Sequence, residues 1–267
     1  MNVLLCVKQV PDTMRFAHCG EADVLPEDSL SFSMNPLDKY ALEAAARLKD
    51  RDPETRITAL SMGPEGAEQV LKECLALAAD TAYLLCDKLF DGSDSLAVSH
   101  ALSAAVKTLE VTEGRFDIIL CGKQAADSDE GHIGPQLAEW LDYPQVTCGL
   151  EIEADGPSLT VRKETEGGVQ IVAVPTPCVV TVTKSAWECR YPDILRMMES
   201  NGAEIPVLRA DSLSGLDLTK VGWLGSPSYV KKIVSAPGKP GRIRIEEKSE
   251  EDSARKLYQL LNDAAIL

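Results

Sequence analysis

The stretch CGKQAADSDEGHIGPQLAEW, Cys121 to Trp140, sets Lys123, Gln124, Asp127, Asp129, Glu130 and His132 in a loop bracketed by Gly122 and Gly134, just ahead of an apolar helical pattern. Residues of these types at a strand-to-helix turn suit binding rather than covalent chemistry. Unpaired N–H groups and the helix dipole at a helix N-terminus hold phosphate without needing many cations. Two other turns have the same form. SMGPEGAEQ (Ser61 to Gln69) leads into a helix, and FDGSDSLAVSH (Phe90 to His100) offers Ser93 or Asp94 as the N-cap of another. Each of these Gly and Asp residues also has a plain role as a helix cap. Three such turns along one sheet edge point to a nucleotide site. No GxxxxGK[ST] motif is present to cradle a triphosphate. The three histidines, His18, His100 and His132, stand in no recognisable nucleophile motif; His18 reads as a loop residue and His100 as a polar helix position.

The turns need a scaffold. Val3 to Val7, Arg56 to Met62, Thr81 to Cys86 and Phe116 to Cys121 are short apolar, β-branched runs. Helix-period segments alternate with them at Pro36 to Leu48, Glu65 to Ala78, Ser95 to Leu109 and Gly134 to Leu141. That alternation predicts an α/β fold over residues 1 to 145, a doubly wound, mostly parallel sheet with its ligands at the carboxyl ends of the strands. Beyond Pro144 the turn signals DGP and EGG separate strand-like stretches and predict a hairpin extension of the sheet. A helix is expected over Asp193 to Glu199.

From Asn201 to Arg244 no long periodic segment occurs, yet Val207, Leu208, Leu213, Leu216, Val221, Trp223 and Leu224 make the stretch too apolar for a disordered tail. The expectation is an arm laid on another surface, so the chain divides into a nucleotide-binding domain, 1–200, and an arm with a terminal helix, 201–267. In that helix Ser249 is the expected N-cap, and Ala254, Leu257, Leu260 and Leu261 share one face.

Composition narrows the partners. A net charge of −15 disfavours nucleic acid and anionic membrane. The absence of a long apolar run predicts a soluble, cytoplasmic chain without membrane insertion. Eight cysteines without CxxC spacing read as reduced thiols, mostly buried, rather than metal ligands.

Five segments, VKQVPDT (Val7 to Thr13), MNPLDKYALEAAARLKD (Met34 to Asp50), SMGP (Ser61 to Pro64), GKQAADSDEGHIGPQLAEWLDYPQVT (Gly122 to Thr147) and VRKETEGGVQIVAVPTPCVVT (Val161 to Thr181), resemble in order the β subunit of electron transfer flavoprotein. The resemblance implies a heterodimer with an FAD-binding α subunit, and a second nucleotide in the β subunit. That nucleotide is AMP in ordinary members and FAD in the electron-bifurcating branch. Residue by residue it implies cofactor contacts at Cys6, Asn35, Asp38 and Met62. The nucleotide loop maps onto Gly122, Lys123, Gln124, Ala125, Ala126, Asp127, Asp129, Glu130, Gly131, His132 and Ile133. Asn35 can present both donor and acceptor to an adenine edge; equally, Asn35-Pro36 is a cap followed by a helix-starting proline.

The segment FDGSDSLAVSH resembles the longer loop of the bifurcating branch, as does GHIGP (Gly131 to Pro135). Glu130-Gly131-His132 stands where that branch has Thr-Ala-Gln, and Val98 stands where it has a second Thr. The resemblance therefore implies FAD in this subunit, with Asp94, Ser95 and Ser99 near its isoalloxazine or ribityl end, and no catalytic side chain. NADH would be the electron donor, and the electrons would divide between the α-subunit FAD with its acyl-CoA dehydrogenase-type partner and ferredoxin or flavodoxin. An AMP-binding β subunit with a structural and docking role, and an isolated ATP-binding α/β protein, are the competing readings. The family's dehydrogenase docking loop falls at Lys184 to Met197, with Arg190, Tyr191 and Ile194 as docking residues and Trp187 either exposed for a partner or packed on its own domain.

Overall fold

Asn2–Val7 (β1) is an unbroken apolar run whose alternate side chains face opposite sides of the sheet, as a fully covered parallel strand requires. Val3, Leu5 and Val7 enter one core, while Leu4 and Cys6 enter another. The computed structural model describes residues 1–12, 31–156, 158–229, 231 and 243–266. His18, Cys19 and the APGKPG stretch of the expected arm lie outside them. The chain forms two compact units, Met1–Val230 and Lys231–Leu267.

In the first unit β1 is followed by Gln9–Pro11 (β2), Phe32–Met34 (β3), helix Pro36–Arg51 (α1), Arg56–Met62 (β4), Glu68–Leu77 (α2), Thr81–Leu85 (β5), Ser95–Glu113 (α3), Ile118–Gly122 (β6) and Ile133–Leu141 (α4). Gln145–Asp155 (β7), Ser158–Thr165 (β8), Gly168–Pro175 (β9), Cys178–Val182 (β10), Ile194–Asn201 (α5), Val207–Leu208 (β11) and the helical turn Gly222–Gly225 (α6) complete it. The nine-stranded sheet runs β11-β5-β4-β1-β6-β10-β7-β8-β9. Strands from β11 to β7 pair in parallel, and β7, β8 and β9 are antiparallel. The fold is therefore α/β with a mostly parallel sheet and a hairpin extension. Helices α1 and α2 cover one face, and α3 and α4 the other.

The chain runs from β1 outward through β4 to β5, and α3 then carries it back past β1 to β6. The strand order reverses beside β1, so the carboxyl ends of β1, β4 and β6 diverge into a crevice, where open α/β sheets hold ligands. Gly122 ends β6 against the start of α1. A Cβ there would meet Asp38 Oδ1, the Asp38 amide and the Leu37 carbonyl carbon, so only glycine permits the approach.

The stretch after Asn201 does not separate from the domain at the boundary expected at residue 200. Through Tyr229 it belongs to the first unit. β11 adds to β5. Leu208, Leu213, Leu216 and Val221 pack into the α3–α4 core. Four of the apolar residues that argued against disorder are thus covered within this chain, on the edge of β5 and the flank of α3, while Val207, Trp223 and Leu224 stay exposed. His100 is also not a simple polar helix position. It is buried, its ring 4.7 Å from that of Trp140, and its Nε2 accepts the Asp217 amide at 3.2 Å.

In the second unit Glu250–Asp263 (α7) starts at Ser249, whose hydroxyl accepts the Asp252 amide. Leu257 and Tyr258 are exposed.

Candidate functional site

A cleft of about 500 Å³ opens at the ends of β1, β4 and β6, within the range of roughly 300–1,000 Å³ for small-molecule sites. One wall comes from the end of β1, the start of α1 and the loop from Gly122 to Ile133. Asn35 is not a conventional cap here. Its Nδ2 donates to Asp38 Oδ1 (2.9 Å) and the Gln124 carbonyl (2.9 Å), and its Oδ1 accepts the Ala126 amide (3.1 Å). Asp38, 5% exposed, also accepts the Lys8 amide at 2.7 Å and the Gly122 amide at 3.0 Å. The pair stitches the helix start across the ends of two strands and pins the loop. Burial pushes the Asp38 carboxyl up to about 6, against the opposing pull of its amide donors.

The loop's other polar residues are also tied down. Lys8 Nζ pairs with Asp127 at 2.7 Å, Gln124 Nε2 donates to Asp129, and Glu130 stands 3.8 Å from His132 Nδ1. Asp129 and Gly131 both take positive φ, 56° and 68°. At Gly131 a Cβ would lie 3.3 Å from the Lys123 carbonyl oxygen, so glycine keeps the loop open beside α4. No side chain caps α4. Its first-turn amides stand at the cleft edge marked by Gly131, His132 and Ile133. Burial, then Asp38, pushes the Cys6 thiol up to about 12, and burial raises Cys121 as well, so neither is a thiolate at neutral pH.

The second wall is Gly92 to Val98 with Trp223, Ser228 and Tyr229. Asp94 caps α3, accepting the Leu96 and Ala97 amides at 3.1 Å each, and its other oxygen takes the Ser228 amide (3.0 Å) and hydroxyl (2.8 Å). Burial would raise this carboxyl, but these donors outweigh it and hold it below the usual carboxylate range. Ser93 Oγ accepts the Gly222 amide at 2.9 Å, and Ser226 Oγ accepts the Asp94 amide at 2.8 Å.

Of the residues expected at the site, Cys6, Asn35, Asp38, Met62, Asp94, Ser95, Gly122, Lys123, Gln124 and Ala125 line the cleft, as do Glu130, Gly131, His132 and Ile133. Ala126, Asp127 and Asp129 stand behind that lining and shape the loop. Ser99 does not follow expectation. It is fully buried, donates to the Leu96 carbonyl at 2.8 Å and accepts Trp140 Nε1 at 3.1 Å, so it neither reaches the cleft nor faces solvent. Trp223, Ser228 and Tyr229 were not anticipated there. They join the cleft only because the segment after β11 folds back, and no motif marks that return.

A family model described as "Electron transfer flavoprotein domain" matches residues 24–213, most of the chain. This chain belongs to the electron transfer flavoprotein family, on the β-subunit side. It is 41% identical to the "Electron transfer flavoprotein subunit beta" of Megasphaera elsdenii over 95% of this chain and 94% of the relative. It is 33% identical to the "Caffeyl-CoA reductase-Etf complex subunit CarD" of Acetobacterium woodii, covering all of both chains. Identity to the "Acryloyl-CoA reductase electron transfer subunit gamma" of Anaerotignum propionicum is 35%, over 97% and 98%. β subunits of this family pair with an α subunit and with dehydrogenase or reductase partners. Among the described residues no helix is long and apolar enough to cross a membrane.

The segment expected to dock a dehydrogenase, Lys184 to Met197, divides into an anchored part and an exposed part. Arg190 is anchored, its guanidinium bonded to Glu43 (2.9 Å) and Asp50 (2.6 Å) on α1. Both carboxyls sit below the ordinary range. For Glu43, burial pushes upward and Arg190 and Arg47 overcome it; for Asp50 the Arg190 hydrogen bond dominates. Trp187 packs on its own domain, with the Arg47 guanidinium 4.6 Å from its ring centre. Tyr191 and Ile194 are 94% and 74% exposed, and Leu195 and Met198 extend the apolar patch on α5.

Proposed function

We propose that this β subunit binds FAD in the cleft, takes electrons from NADH and divides them between the α-subunit FAD, with its dehydrogenase, and ferredoxin or flavodoxin. The observation that carries this is the extent of the cleft. It runs from the loop at Gly122 to Ile133, suited to an adenylate, past Leu60, Met62, Val98 and Leu102 to the aromatic side chains Trp223 and Tyr229 of the second wall. The groups present fit such a ligand: uncapped amides at α4 for a diphosphate, a Gly131 cradle that a Cβ would narrow, and an apolar floor for a second ring. Relatives named for reductase–Etf complexes support the same branch.

A bound flavin would supply the capacity to accept a hydride and release electrons singly. This chain's residues position it. Asn35 and Asp38 hold the loop, Gly122 lets β6 meet the start of α1, Gly131 keeps space for the ligand, and the start of α4 with Lys123 and His132 faces the phosphates. Tyr191, Ile194, Leu195 and Met198 form the dehydrogenase contact, and α7 offers its apolar face to the α subunit. The second reading, AMP in the same adenylate end, draws on the same first wall and leaves the aromatic side chains of the second wall without a partner.

The test is to produce the chain with its α subunit and count nucleotides released on denaturation. Two FAD and no AMP per heterodimer is the expected result; one FAD and one AMP overturns the flavin assignment and selects the second reading.

A further inference from the structure

We infer that Trp223, carried by the returning segment Gly222 to Tyr229, is a positioning residue that stacks on the second ring of the bound dinucleotide. The inference deepens the flavin reading and rests on it. Trp223 is 67% exposed and Tyr229 71% exposed, and both line the cleft. Large aromatic faces left open inside a ligand cleft are suited to a flat π partner. Gly92 gives the indole its seat. With φ of 74° and the indole ring lying where a Cβ would be, Gly92 accommodates no side chain beneath Trp223.

The segment is held rather than loosely draped. The Gly222 amide donates to Ser93 Oγ, Ser226 Oγ donates to the Gly92 carbonyl (3.1 Å) and accepts the Asp94 amide, and Ser228 closes on Asp94. Gly222 itself takes φ of 60° with no room for a Cβ beside the Leu89 carbonyl. These ties fix the indole on the wall opposite the Asn35–Asp38 clip. The adenylate-suited groups belong to the other wall, so the part of the ligand that reaches Trp223 is the part a mononucleotide lacks.

The full chain, freed of nucleotide, is titrated separately with FAD and AMP by calorimetry, as wild type and as Trp223→Ala and Trp223→Phe. The expected result is a loss of about tenfold in FAD affinity for Trp223→Ala, the scale of one stacked ring, with AMP changed less than about twofold. Trp223→Phe restores most of the FAD affinity. Bound FAD emits weakly in wild type, because a stacked indole quenches the flavin, and brightens in Trp223→Ala. An unchanged FAD affinity and emission in Trp223→Ala overturns the inference while leaving FAD binding intact. Equal losses of FAD and AMP overturn it too, showing only that the segment supports the cleft. A wild-type chain that takes AMP and refuses FAD overturns the flavin reading itself, and the inference with it.

Discussion

The two strand-to-helix loops that wall the cleft have similar compositions and opposite internal logic. In the loop from Gly122 to Ile133 the acids and amides bond among themselves and to Lys8, Asn35 and Asp38, leaving backbone amides at α4 facing the cleft. In the loop from Phe90 to Asp94 the polar groups bind the returning segment, with Asp94 and Ser93 holding Ser228 and Gly222, while the cleft receives an aromatic surface. Similar residue types thus yield an edge without a side-chain cap at the start of α4 in one place and a latch in the other. What differs is which segment passes near enough to bond them.

The sharpest way to break the comparison is Gly122→Ala. The added Cβ collides with backbone at Leu37 and Asp38, so the expected cost is at least ~3 kcal/mol in denaturant unfolding, with nucleotide binding lost. An unfolding midpoint equal to wild type would sink the idea that the first wall depends on this close approach.

Asp38→Asn probes the same wall through pH. A buried carboxyl with a folded value near 6 binds a proton more readily in the folded chain than in the unfolded one. Its contribution is complete below the ordinary carboxylate range and is lost as pH rises through about 6. Relative to Asp38→Asn, wild type should therefore lose up to ~3 kcal/mol between pH 4 and 7. Parallel stability curves for the two proteins would contradict this.

Asp94→Ala addresses the second wall. Loss of the α3 cap costs ~1 kcal/mol, and release of Ser228 should speed amide exchange from Gly222 to Tyr229 without altering exchange at Gly122 to Ile133. Equal acceleration in both loops would mean that the walls are not independent. The smallest effect on the cleft is expected for Ser99→Ala, which costs about 1 kcal/mol of stability from the orphaned Trp140 indole and leaves nucleotide affinity and exchange in both loops unchanged. A marked drop in FAD affinity would return Ser99 to the ligand.

Much of the fold was legible because its signals are local. Strand Arg56–Met62 and the starts of α1 and α3 agree with the sequence reading, since apolar period, Pro36 and Asp94 act over one turn of chain. Helix Glu65 to Ala78 begins instead with a single 3₁₀ turn before α2, a boundary shift within the same element. Ser99 shows where locality ends. The resemblance placed it near the ligand, and only the approach of Trp140 from α4 decided that it is buried.

By itself the sequence determined the alternation of strands and helices, the position of the polar turns at strand ends, and the family, all of which depend on neighbours in the chain or on motifs kept in order. Tertiary structure alone decided that Asn35 and Asp38 serve as a clip, that Arg190 is an anchor while Tyr191 is the exposed surface, and that Trp223 returns to the cleft. Each of these turns on a hydrogen bond or packing contact between residues distant in sequence. No periodicity encodes such a contact, because its geometry exists only once the sheet has brought both partners together.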